Sequence, residues 1–357
     1  MKRPFLTFLF VCALSAAAAR GMSDGQPSDG QPSDASLAGR VDSLGHRADR
    51  SRLAALMPRV SGFLQVGYQY TDTSSDFIVK RARLSLSGSP VPKFDYRIQF
   101  EFCKPRLVDA WLGYRPFRQL GFRAGQFKIP FSIENTEYGL FRFEFIDYPL
   151  VLRRLMSFDD VCGLAASGRD IGVSCSGSFF PRDGYDLLRY DLAVFNGEGI
   201  NTRDRNKSKD LVARLMLRPV DGLLLSGSWY RGEFGPAHCS RERYGVGVCY
   251  DRGPVVVRGE WIGGTTGTSG GRFSSDGWYA MAGWRAPRNV SFTVRVDSFA
   301  ADSSCRSETR QNNYTAGLLW SPVRFLRCQL NYTYEDYGRS AALSARNVAT
   351  LLFTGIF

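Results

Sequence analysis

Histidine is what this sequence has least of: 357 residues contain two, His46 and His238. A Ser, His and Asp hydrolase needs an imidazole poised beside its nucleophile, and neither histidine has a nucleophile motif around it. Zinc is disfavoured too, because the eight cysteines include no Cys-x-x-Cys pair. Long apolar runs are missing after the first twenty residues. A spanning helix needs about 20 such residues in a row, so any membrane residence here requires closed β-structure. Acid is also scarce, with 34 Asp and Glu against 46 Lys and Arg, a formal net charge of +12. That excess reads either as general solubility and loose attraction for polyanions or as an anion-gathering surface. Its position along the chain has to decide between them, and nothing in the sequence points to nucleic acid.

Lys2 and Arg3 precede an apolar run from Phe5 to Leu14 and then Ala16 to Ala19. This is the pattern of a secretory signal peptide over residues 1–19. Residues 20–58 open with Ser-Asp-Gly-Gln-Pro twice over, too polar and turn-rich to pack, so a disordered segment is expected. Leu37, Val41, Leu44, Leu53 and Leu56 add a short amphipathic helix within it. Of the cysteines, Cys12 falls in the leader. Cys103, Cys162, Cys239 and Cys305 lie in or beside expected loops, where an oxidising compartment permits bridges whose pairing the sequence leaves open.

From residue 59 to residue 357 the period becomes two. In Lys93 to Phe102 every even position is apolar or aromatic and every odd one polar or charged, which only a strand can sort onto two faces. Val290 to Asp297 and Leu326 to Tyr334 repeat the pattern, and in the final Ala349 to Phe357 the odd positions are apolar or Gly with Thr350 and Thr354 on the other face. Proline-bearing links such as Ser89 to Pro92, Pro116 to Gln119, Pro219 to Gly222, Ala286 to Asn289 and Ser321 to Val323 are short. They take turns with longer polar links: Gly197 to Ser208, Gly263 to Asp276, Ala300 to Arg310 and Asp336 to Ser344. Soluble sandwiches also alternate, but tight and long connections in turn are the habit of an outer-membrane barrel. The expectation is an all-β, transmembrane antiparallel β-barrel of about sixteen strands. Tyr68, Tyr70, Tyr114, Trp229, Tyr250, Trp261, Trp278, Trp284, Trp320, Tyr332 and Tyr334 lie near strand ends, where aromatic belts form.

With the apolar face toward lipid, the opposite register carries Arg81, Arg83, Arg97, Arg115, Arg123, Arg189, Arg214, Arg218, Arg258, Arg295 and Arg327 into the lumen, with Lys93 and Lys128. Fewer carboxylates share that face: Asp95, Glu101, Asp109, Asp191, Glu260 and Asp297. The arginines either pair with these acids and stiffen the wall or form a ladder of planar donors for passing anions. For Arg258 with Glu260, and Arg295 with Asp297, both readings stand. Between Gln126 and Arg169 lies the longest connection, too apolar for a solvated flap. It is expected either to fold into the lumen as a third loop, presenting Arg142, Arg153 and Arg154 at a constriction, or to supply two more strands and make eighteen.

Several segments resemble the phosphate-selective porin O and P family: Phe77 to Leu84, Phe94 to Gln99, Val108 to Leu112, Gly125 to Ser132, Arg169 to Val173 and Val194 to Gly199. The likeness spans about residues 60–357. It implies a sixteen-stranded homotrimeric channel in a Gram-negative outer membrane, in contact with its lipid. It also implies an inward third loop and an arginine ladder that passes inorganic phosphate, polyphosphate or other small anions. No cofactor is implied. The functional expectation is passive, anion-selective diffusion, against a structural or adhesive barrel or a porin of general solute selectivity.

Overall fold

Two-residue alternation becomes structure wherever one face can meet hydrocarbon and the other water, and from Arg59 onward the chain obeys this. In the computed structural model, residues 57–138, 144–156, 159–163, 167–338 and 344–357 are described. The expected signal peptide and all but the last two residues of the expected disordered or helical segment at 20–58 lie outside them, as does Arg142. Sixteen strands follow in order: β1 (Arg59–Thr71), β2 (Ser75–Gly88), β3 (Phe94–Glu101), β4 (Arg106–Phe117), β5 (Leu120–Lys128), β6 (Arg169–Arg182), β7 (Tyr185–Phe195) and β8 (Asp210–Leu217). The second half comprises β9 (Leu223–Phe234), β10 (Cys239–Arg252), β11 (Val255–Thr268), β12 (Gly271–Ala286), β13 (Val290–Ala300), β14 (Arg310–Val323), β15 (Leu326–Asp336) and β16 (Arg346–Ile356).

Each strand pairs antiparallel with its sequence neighbours, and β1 pairs with β16 to close the barrel. The seam runs from Phe63 opposite Ile356 to Thr71 opposite Val348. Beyond it, Gly62 N–H donates to the Phe357 carbonyl at 2.8 Å and Phe357 N–H to the Gly62 carbonyl at 3.0 Å. Gly62 is required there, since a Cβ would lie 2.5 Å from the Phe357 ring. Closure leaves no edge of unpaired backbone groups, which hydrocarbon would penalise by several kcal/mol each.

The outer surface carries the apolar set: Val246, Val248, Val257, Val294, Leu318, Leu330 and Leu351 are all exposed. Aromatic pairs bound this belt. Toward the short turns, Phe94 stacks on Tyr114 at 4.4 Å and Trp284 on Phe292 at 6.2 Å. Toward the other end, Tyr314 stacks on Tyr334 and Trp261 sits opposite Trp278. On β12, Trp278 and Trp284 are separated by about 20 Å of strand, and their spacing suits a belt crossed at a tilt.

Two expectations about the connections need correction. No extra strand pair forms among the described residues of 129–168, which hold two short helices, α1 (Ile133–Thr136) and α2 (Leu150–Leu155). Gly263 to Asp276 is also not a long loop, because β11 runs on to Thr268 and β12 resumes at Gly271. The β-branched Thr265, Thr266 and Thr268 extend the ladder past the belt, where polar side chains do not have to leave the sheet.

The facing assignment makes a quantitative prediction. Val246, midway along β10 and facing outward, changed to Arg should cost about 2–4 kcal/mol, measured by urea-dependent folding into lipid vesicles. A loss below about 1 kcal/mol, the value expected near an interface, would contradict its place in the belt.

Candidate functional site

Alternation puts the second face of each strand inside the barrel, and on the β2 to β8 side that face is basic. A cavity of about 630 Å³ is lined there by Arg83, Arg97, Arg115, Arg118, Arg123, Arg169, Arg189, Arg214 and Lys128. Against these nine cations stand three carboxylates, Asp109, Asp186 and Asp191, with Phe63, Trp111, Phe127 and Tyr148 completing the wall. Gly125 helps shape it: at φ +126° opposite Trp111, it occupies a place where a Cβ would meet the Ala110 carbonyl at 2.2 Å.

The cations differ in how far they are already committed. Arg83 donates to Glu101 at 2.7 Å and Arg214 pairs with Asp191 at 2.7 Å, both buried. Asp109 is shared, 2.7 Å from Arg169 and 3.4 Å from Arg97. Arg189 reaches Glu137 at 3.2 Å but leaves about 41% of its side chain open. Arg115 and Arg123 have no carboxylate within ion-pair distance among the described residues. Arg123 instead lies over the Trp111 ring at 4.2 Å and the Phe127 ring at 5.5 Å. An arginine supported by aromatic faces rather than by a carboxylate keeps N–H donors for a planar or tetrahedral oxyanion. Lys128 donates to the Asn135 carbonyl and, at 3.5 Å, to the Tyr148 hydroxyl.

The other expected site residues fall elsewhere. Arg81 donates to Gln65 at 2.9 Å, just beyond the cavity. Arg218 sits 3.6 Å from Glu137. Arg153, on α2, pairs with Asp159 at 2.9 Å and lines a second cavity of about 270 Å³ with Arg295, Lys80, Asp147, Glu335 and Arg346. Arg154 is half-buried beside it on the same helix. Arg327 lines a third cavity of about 340 Å³ with Arg285, Glu144 and Asp251. Arg258 lines none of the three. It is enclosed, 2.5 Å from Glu134 and 2.7 Å from Glu144, with Tyr138 over its guanidinium at 3.7 Å. Arg295 does meet Asp297, at 2.8 Å, whereas Arg258 turns away from its neighbour Glu260.

Glu260 has another task. Its carboxylate accepts from Ser132 Oγ at 2.9 Å, Ile133 N–H at 2.8 Å and Glu134 N–H at 3.1 Å, and from the Tyr279 hydroxyl at 2.7 Å. It therefore caps the start of α1 from across 128 residues of sequence. Leu150 N–H similarly donates to Asp297 at 2.9 Å. Around these polar ties, Phe131, Ile133, Val151, Leu152 and Leu155 are buried with Phe195, Met216, Tyr230, Ile262, Tyr279 and Phe299 of the wall strands. Burial pushes the Glu134 carboxyl up to about 7 against the pull of Arg258, with Glu144 and Glu260 adding to the rise. Burial likewise raises Tyr148 to about 12, so its hydroxyl keeps its proton.

Sequence reasoning missed three features. Arg118 and Arg169 line the basic cavity; Arg169 was visible at a strand start but had no phase to place it. The two-residue period places Lys80 on neither face, and a register shift between Gln65 and Val66 sets it inward. The acids of the 129–168 connection reach cations on distant strands, Glu134 and Glu144 meeting Arg258, Glu137 meeting Arg189 and Asp147 meeting Lys80, which no local spacing announces.

Residues 61–234, β1 to the end of β9, match the sequence model of the phosphate-selective porin O and P family. No curated protein is similar enough to the chain to match it. Among solved structures, the anion-selective porin from Comamonas acidovorans superposes with a TM-score of 0.65 at 12% identity, over 84% of this chain and 99% of that one. The trimer form of OmpT from Vibrio cholerae gives 0.62 at 11% identity over 84% and 99%. The outer membrane channel DcaP of Acinetobacter baumannii gives 0.57 at 12% identity over 84% and 97%. Fold and family match both point to a channel rather than an enzyme.

Removing the cap tests how the 129–168 connection is held. Glu260→Ala strips three hydrogen bonds from α1 and should raise hydrogen exchange at residues 132–138, with a stability loss of about 2–3 kcal/mol. Unchanged exchange there would mean that the apolar packing alone fixes the segment.

Proposed function

We propose that this outer-membrane porin is a passive, anion-selective channel whose basic cavity accepts inorganic phosphate or similar small oxyanions. Its setting is the outer membrane of a Gram-negative bacterium. The observation that carries the reading is the imbalance of nine cations against three carboxylates in one cavity of the barrel interior. An anion entering it loses water and gains N–H donors in return. Arg97, Arg115, Arg123 and Arg189 are the donors least committed to protein partners, and Lys128 adds charge with less geometric demand.

The 129–168 connection enters the lumen in this reading and sets the constriction. Its bonds to Glu260, Arg258, Asp297 and Arg214 support this, because those residues alternate with lipid-facing ones on their strands. Arg83, Arg214, Arg258 and Arg295 then serve chiefly as wall, their charges met by carboxylates. Phosphate as the preferred anion rests on the family's description. A homotrimer is proposed on the example of the OmpT trimer form. We assign no catalytic role.

A planar-bilayer recording under a salt gradient tests the reading. The reversal potential should favour anions, and added phosphate should block chloride current. Arg115→Ala combined with Arg123→Ala should lower the anion-to-cation permeability ratio about threefold or more and weaken the phosphate block. A cation-favouring wild-type reversal potential would overturn the proposal, and absence of any current would leave a structural or adhesive barrel.

A further inference from the structure

Strict alternation would send Lys80 and Arg81 to opposite faces, yet both point inward. The pairing of β1 with β2 slips here: Gln65 lies opposite Arg81, but the next residue, Val66, lies opposite Val79. Lys80 is the extra residue of a β-bulge, the device by which a strand re-aims one side chain without losing register for long. The ammonium so placed reaches Asp147 of the 129–168 connection, at 2.8 Å from one carboxylate oxygen and 2.9 Å from the other.

Asp147 is also held from the other side. Its carbonyl accepts from Arg295 of β13 at 2.9 Å, and β2 and β13 are separated around the wall by β1, β16, β15 and β14. The next residue, Tyr148, lines both the basic cavity and the second cavity that holds Lys80, Arg153 and Arg295. Its hydroxyl faces Lys128 at 3.5 Å. The ring thus borders both cavities, with Lys128 at its hydroxyl and the pair of Lys80 with Asp147 at the preceding residue.

Building on the anion-channel reading, we propose that Tyr148 is a size-determining doorway between these cavities and that Lys80 is the positioning residue that keeps it in place through Asp147. The Lys80 and Asp147 side chains are about 18% and 45% exposed, so the tie is partly hydrated and worth little as stability. Its value lies in geometry. Without it, the segment keeps its apolar anchors on either side but loses its ion pair with Lys80 of β2.

The test compares chloride with gluconate in planar bilayers, using the full-length protein. Lys80→Ala and Tyr148→Ala should each raise the gluconate-to-chloride permeability ratio about threefold. Lys80→Arg should keep the wild-type ratio, and the swap of Lys80→Asp with Asp147→Lys should restore it. Loss of one lumenal charge alone would alter anion-to-cation selectivity without changing discrimination between anions. Heat-modifiable gel mobility identifies any variant that does not fold; Asp147→Asn then takes the place of Lys80→Ala, with the same rise expected. Unchanged gluconate-to-chloride ratios in folded Lys80→Ala or Asp147→Asn and in Tyr148→Ala overturn the doorway. The anion-channel reading fails separately, if the wild type itself favours cations.

Discussion

Everything described here depends on backbone hydrogen bonds having no water to fall back on. In hydrocarbon an unpaired N–H or C=O costs several kcal/mol, so a sheet that crosses it must close, and the β1 to β16 ladder does this. Closure fixes the facing of every other residue on sixteen strands at once. Arg97, Arg115, Arg123 and Arg189 are then gathered onto one interior wall by the same alternation that spreads Val246, Val294 and Leu330 over the outer belt. The charge distribution is therefore a product of topology, and no separate packing force is needed to assemble it.

Within that frame, the arginines divide by what meets them. Arg258 and Arg214 are enclosed and neutralised by carboxylates from the 129–168 connection and the wall. Burying a guanidinium is tolerable only with such partners. Arg115 and Arg123 lie where water or a solute can reach them, and Arg123 is supported from behind by aromatic rings rather than by acid. In the proposed channel the two kinds would divide the work, neutralised arginines holding the shape and uncommitted ones meeting what passes.

The barrel was legible in the sequence because its signal is local. A two-residue period, proline at the tight turns and aromatics near strand ends survive without knowledge of neighbours, and they gave the strand number and the facing of Arg97 and Asp109. What escaped was non-local or aperiodic. The bulge at Lys80 breaks the period that the reading relied on. Glu260 next to Arg258 reads as a pair, yet each turns to a partner more than a hundred residues away. Gly263 to Asp276 looked like a loop because polar residues outside the belt have no apolar partner to alternate with, although the ladder continues to Thr268 opposite Gly271.

The seam that includes Gly62 and Phe357 has a consequence for assembly. Its partners are almost three hundred positions apart along the chain, as in the Gln65 to Thr354 contact, so forming it carries the largest loop-closure entropy of any strand pair in the wall. Hairpins can zip early from either end, but the cylinder is sealed only when the two outermost strands meet. Until then the nascent sheet has two raw margins, and a chaperone or insertion machine that shields one of them would govern how often the barrel is completed.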